Sequence, residues 1–393
     1  MATAVADLDG LLSPAGWPYA SATPRSAGDP GRFHALFGRD AAIASLQVLP
    51  ARPEVAAATL RALASLQGRE ENSATEEEPG KIVHEWWPRA PARLAAAGWP
   101  VRAGELRYYG SADSTSWFLV LLAATADRAL ASELEFTWRT AGEWLERALS
   151  RGGGLVRHGP RRGAGGLAQQ GWRDAEDPAD PVHHGAGILT PDGEVPPPPL
   201  ADADSQAVAV VALRALAVLS GRERWYEEAR QLSARIEQDF GFETMAIDGD
   251  GRAVPGAGSQ LGWLLWAGAL HGPARERAAE RLCQPDLLTP WGLRTLSSEH
   301  PRFAAGAYHL GAVWPFDSWL GWGGLRAAGR AEAPALRRGV LEAIAAVGEA
   351  PELYAATDDG PRAIPIANRV QAWTVGARWA LENEWDGRVA ALF

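Results

Sequence analysis

The chain has 393 residues, 47% hydrophobic and 22% charged, a balance typical of a folded globular protein. Its formal net charge of −10 at pH 7 argues against nucleic acid or an anionic membrane as the main partner. The single cysteine, Cys283, excludes an internal disulfide. No signal peptide is evident, and the longest apolar run is too short to span a bilayer. We therefore expect a cytoplasmic protein.

Helix-like segments of two kinds alternate after a Pro/Gly-rich entry. Those of the first kind are apolar almost all round: Asp40–Leu49, Asp113–Ala126, Ser205–Leu219, Gly258–Leu270, Val313–Leu325 and Gln371–Ala377. Those of the second kind are amphipathic: Glu54–Gln67, Glu133–Leu149, Arg222–Phe240, Pro273–Leu282 and Glu332–Val347. A helix that is apolar all round must be buried, whereas an amphipathic helix keeps a face in water.

The alternation predicts an all-α fold, an (α/α)6 toroid with an inner and an outer ring of helices. We expect one catalytic domain over residues 1–393, with Met1–Leu12 supplying the sixth outer helix. Only Glu243–Ile247 and a few loop segments read as extended. A helical bundle or a solenoid is the alternative, but no fixed internal repeat favours a solenoid.

A long irregular loop at 151–203 interrupts this pattern, and loops of this length tend to be functional. It contains Gly171-Trp172-Arg173-Asp174, which places an aromatic plane and a cation beside a carboxyl group. This trio suits a site where a carboxylic acid donates a proton beside a sugar ring, and an Arg–Asp surface ion pair is the alternative.

The 18 Trp residues outnumber Tyr and Phe combined. Their flat faces stack on sugars, although most of them are expected to fill the core.

Each predicted inner helix begins with polar residues that its buried body lacks, for example Arg39-Asp40 and Asp204-Ser205-Gln206. N-capping explains one such residue per helix. It does not explain Arg39 beside Asp40, nor His309 and Asp317 flanking Trp314. Because the inner helices of a toroid run parallel, these ends are predicted to converge on one polar pocket rimmed by Trp.

Several carboxyl groups are available at that end: Asp40, Glu85, Asp113, Asp174, Asp204, Asp317 and Glu352. Glycoside hydrolysis uses two carboxyl groups, and the others are able to hold sugar hydroxyls. The alternative is a metal site at His183-His184 with Asp177 and Asp180, but this spacing matches no standard zinc pattern. We therefore expect no metal and no cofactor.

Read in order, the motifs resemble those of bacterial amylo-α-1,6-glucosidases, the glycogen-debranching type of glycoside hydrolase, which share an (α/α)6 barrel. The matching stretches are Phe37–Asp40, Glu78–Glu85, Tyr108–Thr115, Gly171–Asp174, Trp291–Leu296, Tyr308–Pro315, Pro351–Leu353 and Gln371–Trp373. The resemblance implies an inverting α-glycosidase with Asp174 as general acid and Glu352 as general base. It also implies a raised pKa for Asp174 and a carboxyl separation of about 6.5–9.5 Å.

We expect a further set of residues to bind the sugar, from the resemblance and from the predicted pocket. They are Arg39, Asp40, Glu85, Tyr109, Asp113, Trp172, Arg173, Asp204, His309, Trp314, Asp317, Gln371 and Trp373. The expected partner is an oligosaccharide or a small α-glycoside.

The sequence departs from the family pattern in three places. First, a short Pro/Gly segment stands where the family has an N-terminal β-sandwich. Second, the family motif W-P-H-D-N corresponds to Trp314–Ser318, in which Phe316 replaces His. Third, the family motif E-V-Q corresponds to Asp204–Gln206. These departures favour a small glucoside or mannoside over a branched polymer. Two other functions stay open: a sugar epimerase or lyase on the same toroid, centred on His309 and Tyr308, and a non-catalytic carbohydrate-binding protein.

Overall fold

A computed structural model of the chain describes residues 7–23, 32–160, 166–174 and 187–393. The helices in this part of the chain, in order, are α1 (Gly38–Val48), α2 (Pro53–Ser65), α3 (Ala92–Ala96), α4 (Ser114–Ala124), α5 (Arg128–Glu133), α6 (Glu135–Arg151), α7 (Ala203–Ser220), α8 (Arg224–Asp239), α9 (Gln260–Trp266), α10 (Gly272–Leu282), α11 (Pro315–Ala327), α12 (Ala333–Val347) and α13 (Ala372–Glu382).

Six of these helices form a closed inner ring. In ring order α1, α4, α7, α9, α11 and α13 each contact the next, and α13 contacts α1. Every residue of α1, α4 and α9 is buried. Helix α7 is long and apolar enough to cross a membrane, but it lies in this ring and is mostly buried inside the protein.

The second ring packs around the first. Helices α2, α6, α8, α10 and α12 each contact the inner helix that precedes them. Helix α8 shows why these helices lie outside: Trp225, Ala229, Leu232 and Ile236 recur at helical spacing on its buried face. The predicted all-α (α/α)6 toroid is confirmed. Of the expected sixth outer helix, residues 7–9 are helical, Leu8 and Leu11 are buried, and residues 1–6 lie outside the described part.

Helix α9 is shorter than the predicted Gly258–Leu270. It ends at Trp266, and Gly268 follows with a φ of +57°, in the left-handed region that terminates helices and favours glycine. Helix α13 is longer than predicted and continues to Glu382.

Short strands join the rings at the face where the inner helices begin. They are β1 (Leu36–Phe37), β2 (Glu85–Trp87), β3 (Leu106–Tyr108), β4 (Ala201–Asp202), β5 (Thr244–Ile247), β6 (Ala253–Pro255), β7 (Leu288–Thr289), β8 (Gly292–Leu293), β9 (Tyr354–Thr357) and β10 (Gly360–Ala363). Strand β5 agrees with the extended segment expected at 243–247. In the antiparallel β1-β2-β3 sheet, Glu85 pairs with both Phe37 and Tyr108 and so lies directly beside the start of α1.

Candidate active site

One cavity of about 240 Å³ opens at this face of the toroid, and we call it the carboxylate cavity. Nine of the residues predicted for the site line it: Arg39, Asp40, Glu85, Trp172, Asp174, Trp314, Glu352, Gln371 and Trp373. They come from the start of α1, from β2, from the loop at 151–203, from the residue before α11, from the start of α13 and the residue before it, and from the segment before β9. Asp174 and Glu352 thus lie in one cavity although 178 positions separate them along the chain.

Arg39, the second residue of α1, joins the acidic groups of the cavity. Its Nη2 lies 2.7 Å from Oδ2 of Asp174, and its Nη1 donates to the carbonyl oxygen of Gly171 at 3.0 Å. Two longer contacts, of 3.5 Å each, reach Oδ1 of Asp113 and Oδ2 of Asp40. One almost fully buried guanidinium therefore ties the loop at 151–203 to the starts of α1 and α4.

Asp174 keeps 19% of its side chain exposed in this setting. Burial raises the pKa of its carboxyl above the ordinary value, while the charge and hydrogen bond of Arg39 oppose the rise. His84 lies close, with 3.8 Å between Nε2 and Oδ2 of Asp174. Burial and the neighbouring cations Arg39 and Lys81 hold the pKa of His84 well below its usual range, so this imidazole is neutral.

Glu352 is more deeply buried, and both of its oxygens accept hydrogen bonds. The hydroxyl of Tyr308 donates to Oε1. The backbone N–H and the side-chain Nδ2 of Asn368 both donate to Oε2, at 2.8 and 2.9 Å. Burial raises the pKa of Glu352, and the hydrogen bond from Tyr308 opposes that rise.

Two further carboxyls share the cavity. Burial raises the pKa of Asp40 to about 7, although Arg39 lowers it in part. Burial also raises the pKa of Glu85 to about 7, and its Oε2 accepts a 2.5 Å hydrogen bond from Nε1 of Trp87. Asp40 and Glu85 are therefore partly protonated near neutral pH, which lets each of them donate as well as accept a hydrogen bond.

The aromatic part of the lining is fixed by ring packing. Trp172 stacks on Trp263 with ring centroids 5.8 Å apart and meets Trp314 edge-on at 5.7 Å. Phe316, which stands where the family motif has His, stacks on Trp373 at 3.9 Å. Because Phe316 is an apolar ring where that motif has an imidazole, its contact with Trp373 is stacking between two aromatic rings.

The other predicted site residues, all within the described part of the chain, lie outside the lining of this cavity: Tyr109, Asp113, Arg173, Asp204, His309 and Asp317. Tyr109 donates its hydroxyl to the carbonyl oxygen of Leu66 at 2.8 Å, which gives it a place in the core. Asp113 lies behind Arg39 and accepts a 2.8 Å hydrogen bond from Ser111 Oγ. Neither position lets the side chain line the cavity.

The remaining four form a buried polar layer together with the aromatic rings. Nε of Arg173 lies 3.3 Å from Oδ2 of Asp204, and its Nη1 donates to the carbonyl oxygen of Thr295 at 3.0 Å. Asp317 accepts a 2.6 Å hydrogen bond from Trp263 Nε1. The ring of His309 stacks on Trp314 at 5.2 Å. Arg173 is thus buried, and its guanidinium contacts Asp204, Thr295 and Ser259.

Several lining residues were absent from the predicted site: Arg32, Phe33, Phe37, His84, Trp87, Arg93, Leu94, Trp99, Leu167 and Tyr308. Phe37, His84 and Tyr308 stand inside the motifs that the sequence analysis compared, so the signal for them was present. Arg93, Leu94 and Trp99 lie in the connection between β2 and β3, where no motif marks them. The candidate metal ligands Asp177, Asp180, His183 and His184 lie outside the described residues.

Comparison with known proteins gives a match of part of the chain to a family model and a set of similar solved structures. Residues 200–374 match the family model described as the mannosylglycerate hydrolase MGH1-like glycoside hydrolase domain. The GH63 mannosylglycerate hydrolase of Thermus thermophilus, crystallised with Tris and D-glycerate, has a TM-score of 0.68 at 17% identity, with 96% of this chain and 98% of that chain covered. The GH63 mannosylglycerate hydrolase of the same organism in complex with glucose has a TM-score of 0.66 at 17% identity and the same coverages. No curated protein matches the chain by sequence.

The solved structures establish the fold, and the family model adds the class of enzyme: the chain is a glycoside hydrolase. This agrees with the class that the motifs implied. The match is to the mannosylglycerate hydrolase type and gives no support to glycogen debranching in particular.

Proposed function

Proceeding from a glycoside hydrolase on an (α/α)6 barrel, we propose that the chain, as one catalytic domain, cleaves the α-glycosidic bond of a small α-glycoside with inversion. Asp174 is the general acid and Glu352 the general base. The observation that supports this most directly is their placement in one cavity of about 240 Å³ that also holds Arg39, Asp40 and stacked Trp rings.

The chemistry follows from the environments of the two carboxyls. The raised pKa of Asp174 favours the proton that a general acid must carry, and its exposed edge lets it reach the glycosidic oxygen. Burial raises the pKa of Glu352 too, but three hydrogen-bond donors oppose that rise and favour the carboxylate that a general base needs. Inversion requires room for a water molecule, and the carboxyl separation of about 6.5–9.5 Å stays a prediction of this mechanism.

The size of the cavity favours a small substrate. Its volume of about 240 Å³ is below the roughly 300–1,000 Å³ of typical ligand pockets. Trp172, Trp314 and Trp373 offer apolar surface for one sugar ring. A branched polymer needs a longer groove than the described lining residues provide.

The cations at the opening favour an acidic aglycone, that is, an acidic leaving group. Arg32 and Arg93 both line the cavity, and Nη2 of Arg93 donates to the carbonyl oxygen of Arg32 at 3.1 Å. Guanidinium groups bind carboxylates through charge-assisted hydrogen bonds. We therefore propose a hexose α-linked to a small hydroxy acid as the substrate, the class to which mannosylglycerate belongs. The name of the family model and the D-glycerate complex of the Thermus thermophilus enzyme support this choice.

An α-1,6-glucosidase is the second candidate. It is favoured by the motifs at Phe37–Asp40, Glu78–Glu85 and Tyr108–Thr115, which resemble those of debranching enzymes. The substrate panel described next separates the two candidates.

The test is sugar release by the wild type, Asp174→Asn and Glu352→Gln from α-mannosylglycerate, α-glucosylglycerate, the matching neutral methyl glycosides and isomaltose. We expect cleavage of a glycerate glycoside and a loss of about 10² or more in rate for each variant. Preferential cleavage of isomaltose selects the glucosidase.

If both variants cleave as fast as the wild type, the assignment of acid and base is wrong. A product of unchanged mass, or one formed without uptake of water, identifies an epimerase or a lyase. Binding of sugar without turnover identifies a carbohydrate-binding protein.

A further inference from the structure

The hydrogen bonds of Glu352 divide its two oxygens unequally. An ionised carboxylate offers about four acceptor positions, two on each oxygen. Asn368 fills both positions on Oε2, with its backbone N–H at 2.8 Å and its Nδ2 at 2.9 Å. The hydroxyl of Tyr308 fills one position on Oε1. Counting only donors from the described residues, one acceptor position therefore remains, and it lies on Oε1.

We propose that Tyr308 is a positioning residue for the hydrolysis. Together with Asn368 it fixes Glu352 so that the acceptor position on Oε1 that the described residues leave open receives the nucleophilic water. This inference rests on the proposed function, because it assumes that Glu352 is the general base.

The two donors are themselves held firmly. The ring of Tyr308 stands perpendicular to that of Trp314, with centroids 4.7 Å apart, and Nε1 of Trp314 donates to the carbonyl oxygen of Tyr308 at 2.8 Å. The amide of Asn368 is oriented from both ends, since its Oδ1 accepts from the backbone N–H of Arg32 at 3.1 Å while its Nδ2 donates to Glu352. The backbone N–H of Glu352 also donates to the carbonyl oxygen of Asn368 at 2.9 Å. The carboxylate is thus pre-organised before substrate binds.

The bond changes are those of one displacement. The water oxygen bonds to the anomeric carbon while one of its protons passes to Oε1 of Glu352. The bond from the anomeric carbon to the glycosidic oxygen breaks, its electron pair stays on that oxygen, and the oxygen takes the proton of Asp174. Tyr308 gives up no proton in this step. Burial and the charge of Glu352 raise the pKa of Tyr308 well above its ordinary value, so the phenol remains a donor throughout.

The same geometry weighs against Tyr308 as the catalytic base of an epimerase or lyase. A base must lose its proton, and a phenol beside a buried carboxylate loses it least readily. A protonated Tyr308 supports Glu352 as a hydrogen-bond donor in hydrolysis, and for the same reason it is a poor base for an epimerase or a lyase.

The test removes the hydroxyl and keeps the ring. In Tyr308→Phe we expect kcat to fall on the order of tenfold or more with KM little changed, because the base is misplaced and the sugar contacts remain. Ionisation of Glu352 in the free enzyme contributes to the acidic limb of the kcat/KM profile. This limb should move to higher pH by on the order of one unit, because a donor that stabilises the carboxylate is lost. Asn368→Ala keeps the backbone donor and should move the limb in the same direction by less.

Tyr354→Phe is the matched control. Tyr354 is also fully buried, and its hydroxyl donates to the carbonyl oxygen of Trp291 at 2.6 Å, outside the carboxylate cavity. This variant loses one buried phenol hydrogen bond and should keep the wild-type pH profile. If Tyr308→Phe does not fold, Asn368→Ala decides the test by the same shift.

The outcomes separate the two proposals. An active wild type whose Tyr308→Phe and Asn368→Ala variants keep both kcat and the acidic limb overturns this inference and leaves the proposed function standing. A wild type that cleaves no glycoside of the panel overturns the proposed function, and this inference with it.

Discussion

Arg39 and Asp174 form an ion pair inside the carboxylate cavity, with 2.7 Å between Nη2 and Oδ2. A cation at this distance favours the carboxylate, whereas a general acid must carry a proton. Arg39 also faces Asp113 and Asp40, so its charge is shared among three carboxyls. Burial outweighs its effect on Asp174, and the pKa of that carboxyl stays raised. The pair therefore orients the proposed acid, and burial of its carboxyl favours the protonated form that a general acid needs.

Arg39 is also predicted to be a major source of stability. Arg39→Met leaves three buried carboxyls without their cation, and breaking a buried ion pair in this way costs about 3–5 kcal/mol in the free energy of unfolding. Arg61→Met is the control, because Arg61 and Glu133 form a pair with 53% and 46% of their side chains exposed. Such surface pairs contribute about 0–1 kcal/mol. Urea unfolding of the two variants measures the difference, and equal losses contradict the predicted role.

Glu85 is predicted to make the protein more stable as the pH falls from about 7.5 to 5. Burial raises its pKa from the ordinary 4.5 to about 7 in the folded protein. Between those values the folded state binds a proton that the unfolded state does not, so stability is gained as the pH falls and is lost as it rises through about 7.

Glu85→Gln should flatten this dependence, measured as Tm at several pH values between 5 and 7.5. Glu133→Gln should leave the slope unchanged, because the hydrogen bond from Arg61 lowers the pKa of this exposed carboxyl and its titration lies below that range. Equal slopes in the wild type and in Glu85→Gln speak against a protonated Glu85.

Arg93 is predicted to select substrates with an acidic aglycone. Removing its guanidinium in Arg93→Met should raise KM for a glycerate glycoside by on the order of tenfold, the effect of one lost charge-assisted contact. KM for the matching methyl glycoside should stay the same. Arg107→Met removes an exposed guanidinium that pairs with Glu105 away from the cavity, and it serves as the control. A parallel rise in KM for both substrates shows that Arg93 acts on the sugar side or on folding.

The stereochemical outcome follows from the proposed mechanism. Attack by water on the face opposite the leaving group turns an α-glycoside into a β-configured sugar. Proton NMR of the first minutes of hydrolysis, before the anomers equilibrate, should show the β-anomer first. If the α-anomer appears first, the reaction proceeds with retention and Glu352 is not a base acting on water.

The toroid could be predicted from the sequence because burial leaves a direct mark on composition. Helices α1 and α4 are apolar all round since every residue in them is buried, whereas α8 shows its single buried face as helical spacing. Apart from β5, which the sequence marked as extended, the strands left no such mark, because two to four residues are too few to establish a period. The early end of α9 depends on the backbone at Gly268, where composition pointed to continued helix.

The candidate site could be predicted only in part. Asp174 and Glu352 stand in short motifs that the sequence shows directly. Arg173 is adjacent to Asp174 in sequence, but its guanidinium is buried in contact with Asp204. Arg173 and Asp204 are 31 positions apart in the sequence. Arg32 and Arg93 meet across the opening of the cavity through a contact that spans 61 positions. Contacts between distant segments such as these are set by the tertiary fold and leave no local pattern.

The assignment of Asp174 and Glu352 is tested most directly with two substrates that share the sugar and differ in the leaving group. Initial rates of the wild type, Asp174→Asn and Glu352→Gln are compared on a glycoside with a poor alkoxide leaving group and on an activated aryl glycoside. A good leaving group needs no proton from an acid, but water must still be deprotonated. We predict that Asp174→Asn loses much more rate on the alkyl than on the aryl glycoside, while Glu352→Gln loses about 10² or more on both. Equal losses for Asp174→Asn on the two substrates, or wild-type rates for Glu352→Gln, contradict the account.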